Sequence, residues 1–315
     1  MVCHYGLAIW SSMVFLSSRP PGNSELRGRE PTSDGRGRLV FMRTTTRART
    51  FRATPTLPPP SPSRELTITA LLGESGRAIV PIRTTFIQQG HGKSTRPGPL
   101  ATFLTSHDER GLDAYLLVHA LASAEPWTCE FGSVLWVRTL GIETNKEASA
   151  RGAVSKVMRR LEERKLVRRS RANRKAVVQL LREDGSGNDY THPARTDRYL
   201  RLTDAYWREG YFTTLSMAAK VMLLVALERD DGFYLPFEYA PDWYGISADT
   251  AERGLRELHN HDVLDVHHEW VPNPRSDTGW APRWTYTVTG SFSKDAQDAA
   301  ARRRDRSPAD NDGES

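Results

Sequence analysis

Nine side chains in the middle of the chain have the types and spacing for one kind of chemistry, the neutralisation and reading of a polyanion. Arg151, Ser155, Lys156 and Arg159 recur on one side of a helical stretch, and Arg168, Arg169, Arg171, Arg174 and Lys175 follow where the pattern turns strand-like. From Arg151 to Lys175 there are eleven Arg or Lys and only two acids. Cations at this density neutralise phosphates, and those carried on a helix can also hydrogen-bond base edges in a major groove. Charge runs on helices are usually solvated faces. Here the bias is far from balanced and continues across two adjoining elements that would share one face, which favours a ligand.

Other chemistries fare worse. Gly90-His91-Gly92-Lys93-Ser94 echoes a phosphate loop, but Ile87 stands where its first glycine belongs and Pro97 and Pro99 block the helix that must follow. His259, His261, His267 and His268 could ligate a metal, yet no cysteine lies near them, and solvated or packed histidines are the commoner outcome. Cys3 and Cys129 form neither a disulfide framework nor a metal site, and Cys129, between Trp127 and Phe131, reads as a small buried hydrophobe. No Ser-His-Asp or paired-carboxylate spacing stands out. The expectation is a non-enzymatic protein with no cofactor and no metal.

The elements that must position the nine side chains are legible as a pattern used twice. In residues 105–182, Ser106 and Glu109 form a capping box ahead of Leu112, Tyr115, Leu116 and His119 at helical spacing. A short strand is expected at 127–131, a second helix from Ser133, and a turn at Gly141-Ile142. A third helix opens at Thr144 and Glu147 with the apolar stripe Ala150, Ala153, Val154, Val157, Met158 and Leu161. Gly152 on its other face suits close approach to a surface. Residues 167–171 and 176–182 then predict a hairpin with Asn173 in its turn.

Residues 211–289 repeat the order: a helix over 216–227, a strand at 233–235, the turn Gly245-Ile246, an Ser247-capped helix with Ala251, Leu255 and Leu258 inward, and a hairpin of 266–271 with 283–288. A shift of 97 residues superposes the two third helices. The charge is inverted, however: from Ser247 to Val271 there are two Arg against six acids. Asp249, Glu252 and Glu257 would repel phosphate, so this repeat is expected to contact protein, through homodimer pairing or another protein partner, with Arg253 and Arg256 reaching a backbone at most.

Around the repeats, residues 1–64 hold ten Arg, three acids and eight of nineteen prolines, a composition expected to stay disordered, with Met42 as a possible true start. Residues 65–104 read as an extended or loop segment with β-like runs at 66–72 and 78–86, residues 183–210 as a polar linker, and 290–315 as a disordered tail. The apolar run 7–16 lacks the flanks of a secretory signal, and no run approaches a membrane span. A reducing, cytoplasmic setting is expected.

Gly141-Ile142, a capped helix, Leu161-Glu162 followed by Leu166-Val167, and a basic hairpin resemble the winged helix-turn-helix of bacterial transcription regulators such as the MarR and GntR groups; the string from Trp243 through Gly245-Ile246-Ser247 to Ala251 does so more closely. Two such units in one chain also resemble plasmid and phage replication initiators. The resemblance covers about half the chain. It implies an α+β fold, mainly α with small β-hairpins: two tandem winged-helix domains, with double-stranded DNA read by Arg151, Ser155, Lys156 and Arg159 and gripped at phosphates by Arg168, Arg169, Arg171, Arg174 and Lys175. No effector domain follows, a departure from the GntR pattern. The expected roles are a transcription regulator, an initiator at origin repeats, or an adaptor that binds only proteins.

Overall fold

Ser63 accepts a hydrogen bond from the Leu66 N–H and starts α1 (Arg64–Ser75), and Gly76 ends it in the left-handed conformation (φ +61°) with its N–H on the Leu72 carbonyl. The computed structural model describes residues 61–305, apart from 91, 144–145 and 173–174. The Pro/Arg-rich segment through residue 60, the box residue Thr144, the turn residue Asn173 and the site candidate Arg174 lie outside the described residues. Helix α1 corrects the β-like reading of 66–72. Thr67, Ile68 and Thr69 favour strands by their branching, but both ends are capped and Thr67, Ile68, Leu71 and Leu72 bury one helical face. Residues 78–86 do supply a strand, β1 (Ile79–Arg83), followed by a small hairpin of β2 (Gln88–Gln89) and β3 (Arg96–Pro97) and by α2 (Leu100–Thr105).

The first repeat begins with α3 (Glu109–Leu121). Its cap is Asp108, whose carboxylate accepts from the Gly111 N–H at 3.1 Å. Ser106, the expected cap, donates instead to the Thr102 carbonyl at 2.6 Å. Next come β4 (Thr128–Phe131), α4 (Ser133–Thr139), a turn at Gly141 (φ +57°), α5 (Glu147–Glu163) and a hairpin of β5 (Val167–Ala172) and β6 (Lys175–Leu180). The strands form an antiparallel sheet in the order β4-β6-β5. Ala150, Val154, Val157, Met158 and Leu161 of α5 are buried, as their spacing requires.

The polar segment after the first repeat is woven into the body. Its β7 (Tyr199–Thr203) pairs antiparallel with β1, from Ile79 opposite Thr203 to Arg83 opposite Tyr199. Glu183 is fully buried and holds the Arg83 guanidinium at 2.9 Å, while Asp197 takes the Nε of the same arginine at 3.0 Å. Short helices α6 (Ala205–Arg208) and α7 (Tyr211–Thr214) lead on to the second repeat.

That repeat runs α8 (Met217–Glu228), β8 (Phe233–Tyr234), α9 (Ala240–Tyr244), α10 (Ala248–Asn260), β9 (Leu264–Pro272) and β10 (Trp280–Val288), with sheet order β8-β10-β9, the connectivity of the first repeat. Ser216 and Ser247 cap α8 and α10 through their side chains. The polar end of the chain, expected to be disordered, forms α11 (Lys294–Asp305) as far as it is described; it buries Gln297 and Ala300 and joins Asp298 to Arg201 at 2.6 Å.

The fold is thus mixed α and β, and buried side chains of both repeats, α1 and β1 belong to one continuous apolar cluster. Lys220 of α8 crosses between the repeats: its ammonium, 1 % exposed, donates to Glu109 at 2.7 Å and Asp113 at 2.9 Å on α3. Among the described residues no helix is long and apolar enough to cross a membrane.

Candidate nucleic-acid interface

Helix α5 presents Arg151, Gly152, Ser155, Lys156 and Arg159 to solvent on the side opposite its buried stripe. A side chain built on Gly152 would meet nothing within 4 Å, so the backbone is open to close approach there. Between α5 and the β5–β6 hairpin runs a groove of about 580 Å³ whose floor includes Trp136, Val154 and Met158. Arg151, Ser155, Arg169 and Arg171 line it together. Four of the nine expected residues, drawn from two elements, therefore share one concave surface, with Lys156 exposed beside Ser155 on the same helix.

The remaining cations divide. Side chains alternate across a strand, so Arg168 falls on the face of the hairpin opposite Arg169 and Arg171; it binds Asp189 at 2.9 Å and the Gln179 side chain at 3.2 Å. Lys175, paired with Ala172 at the tip, shares the Arg168 face by the same alternation. Arg159 meets Glu163 at 3.4 Å, both exposed. Lys156, Arg171 and Lys175 make no ion pair among the described residues.

Three arginines of the basic run build the site rather than face a ligand. Arg169 lies flat between strand and helix: its Nε donates to Glu162 at 2.7 Å, its own N–H to the same carboxylate at 3.0 Å, and an Nη to the Ser155 carbonyl at 3.4 Å. Burial alone would push the Glu162 carboxyl up, but the Arg169 hydrogen bonds and charge outweigh it and hold it below the usual range. Arg169 thus clamps the hairpin onto α5. Arg160 and Arg164 turn the other way and grip Asp108 at 2.6 and 2.7 Å, tying α5 to the start of α3. Burial would again raise that carboxyl; hydrogen bonds from both arginines and their charges hold it low. Arg164 also lies over the Phe103 ring at 4.4 Å. Sequence reading counted these cations toward the surface and missed Asp108 and Glu162 as their anchors. Asp108 lies inside the box that Ser106 was expected to cap and takes the cap itself; the Glu162–Arg169 contact joins a helix to a strand and has no periodicity to betray it.

The corresponding helix of the second repeat mixes acids with its arginines. On α10, Arg253 pairs with Asp249 at 3.6 Å and Arg256 with Glu252 at 4.0 Å, each one turn apart. Glu257 accepts from the Ser216 N–H at 2.7 Å and reinforces the cap of α8. His267 and His268 are neighbours on β9 and point to opposite faces, and among the described residues no group of three or more His, Cys, Asp or Glu is placed to hold a metal. Burial pushes the Cys129 thiol up to about 12, which leaves it inert.

Comparison of the chain with protein-family models, with curated proteins and with solved structures finds no match.

Proposed function

We propose that the chain is a double-stranded-DNA-binding protein, a cytoplasmic transcription regulator built on two tandem winged helices, of which the first engages DNA. The observation that carries this reading is that Arg151, Ser155 and Arg171 line one groove between a solvent-facing helix and a basic hairpin, with Arg169 clamping the two elements together. A helix of this kind enters the major groove while the hairpin follows the flanking backbone. In this arrangement Arg151, Ser155, Lys156 and Arg159 lie toward base edges and Arg171 toward phosphates, with Lys175 at the tip. Arg159 must exchange Glu163 for its target, an inexpensive trade, since exposed ion pairs contribute roughly 0–1 kcal/mol. Arg169 keeps the hairpin at the angle the duplex needs. The second winged helix, whose α10 carries Asp249, Glu252 and Glu257 against two arginines, contacts protein.

The test is selection of bound duplexes from a random pool with the full chain, followed by salt titration of the best site. With about two phosphate contacts on each copy, from Arg171 and Lys175, log affinity falls against log salt with a slope near −2 per copy. Recurrence of one motif with such a slope supports the reading; no enrichment and a flat salt response favour an adaptor that binds only proteins.

A further inference from the structure

The hairpin of the second repeat carries a surface that the DNA reading does not use. Strands β9 and β10 pair from Leu264 opposite Val288 to Pro272 opposite Trp280, so His268, Trp270 and Pro272 share one face with Trp284, Pro282 and Trp280. All six are exposed. The three tryptophans keep 62, 51 and 47 % of their surface in water (Trp270, Trp280, Trp284), and His268 lies between two of them, tilted against Trp284 at 4.4 Å and edge-on to Trp270 at 5.5 Å between ring centroids. The reverse face of the same ribbon is ordinary by contrast: Arg283 lies 3.8 Å from Glu269 and over the Tyr234 ring at 5.6 Å.

Large aromatic side chains are rarely left in water without a use, and a contiguous apolar patch of this size marks a contact site. Its chemistry narrows the partner. No Lys, Arg, Asp or Glu stands among the six, so the face offers nothing to a phosphate backbone or to a charged peptide, while two identical uncharged faces can meet without repulsion. The area reaches the lower bound of specific interfaces: at ~250 Å² per fully exposed tryptophan, the three leave about 400 Å² on each copy, and with His268 and the two prolines a pair of copies can bury at most roughly 1,000–1,200 Å².

We infer that this aromatic face is a homodimer contact, through which two copies of the chain pair across a two-fold axis. The inference specifies the protein contact proposed for the second repeat but stands without duplex binding, because sedimentation of the chain alone reads it. Sedimentation equilibrium of the full chain, over about 1–100 μM where such interfaces commonly associate, reads the dimer constant directly. Trp270→Ala and Trp284→Ala are each expected to weaken it about tenfold or more, with far-UV circular dichroism unchanged, since both side chains are exposed and outside the core. Lys156→Ala, on the first repeat, leaves it unchanged. Tryptophan emission shifts to the blue with concentration in the wild type and not in the variants. A chain that stays monomeric throughout, a dimer indifferent to both tryptophan substitutions, or a monomer whose tryptophans are quenched by a single-stranded oligonucleotide overturns the inference.

Discussion

The two repeats share a connectivity and differ in almost everything they show to solvent. In the first, α5 and its hairpin turn arginine and lysine outward and hold the hairpin by the Glu162–Arg169 clamp. In the second, α10 carries three acids, Asp249, Glu252 and Glu257, against two arginines, and the hairpin turns out tryptophan. The packing differs too. Gly254 of α10 stands 97 positions after Val157 of α5. A Cβ on Gly254 would lie 2.6 Å from the Ala218 carbonyl oxygen, so α10 is drawn against α8 more tightly than a valine would permit. The free glycine of α5, Gly152, faces solvent instead. One framework has thus been given two faces, and a glycine serves the core in one repeat and the surface in the other.

Substitutions can break or sharpen that contrast. The largest effect falls where the repeats join. Lys220→Met strips the buried Asp113 carboxylate of its nearest cation, and breaking a buried pair in this way costs about 3–5 kcal/mol. Both repeats should unfold in one cooperative transition at lower denaturant. Adding Asp113→Leu should recover most of the loss, and two separate transitions would show the repeats to be independent.

A pH-dependent difference comes next. His119 is fully buried in α3, and burial, with the nearby charges of Arg77 and Arg83, pushes its pKa down to about 3. The unfolded chain takes up this proton below about pH 6.5, whereas the folded chain does not until near 3. His119 therefore contributes nothing to the pH dependence above that window and removes stability as pH falls through it, by up to about 1.4 kcal/mol per pH unit. Chemical denaturation between pH 4 and 6.5 should show His119→Leu losing this slope; parallel profiles for variant and wild type would mean the histidine is protonated in the fold.

The glycines give smaller effects of opposite sign. Gly254→Ala should destabilise by about 1–3 kcal/mol through overpacking against α8, while Gly152→Ala should stabilise α5 by about 0.5–1 kcal/mol. Thermal melts of the two variants shifting in the same direction would contradict the assigned environments. On the DNA reading, Gly152→Ala also weakens duplex binding despite its added stability.

Much of this framework was legible in the residues. The apolar stripes of α3, α5, α8 and α10 predict their buried faces, and Gly141-Ile142 and Gly245-Ile246 predict turns that both need positive φ, +57° and +66°. Ser247 caps α10 as expected, and Ser216 caps α8 in the same way. Local pattern failed where long-range contact decides. Helix α1 looks like a strand because its branched residues dominate a short run, and only the Ser63 and Gly76 caps signal otherwise. Helix α11 is polar enough to pass for a tail until the burial of Ala300 and the Arg201–Asp298 contact are seen. The basic run of α5 and its hairpin is partly exposed, but which of its arginines are held down depends on Asp108, Glu162 and Asp189, whose contacts follow no local period.

The contrast between the repeats is tested most directly by reversing one charge on each exposed helix and measuring duplex affinity at fixed salt on the selected site. Lys156→Glu on α5 is expected to weaken binding by about tenfold or more, and Arg253→Glu on α10 by less than about twofold. Equal losses from both helices, or a loss confined to Arg253→Glu, would contradict the assignment of DNA to the first repeat.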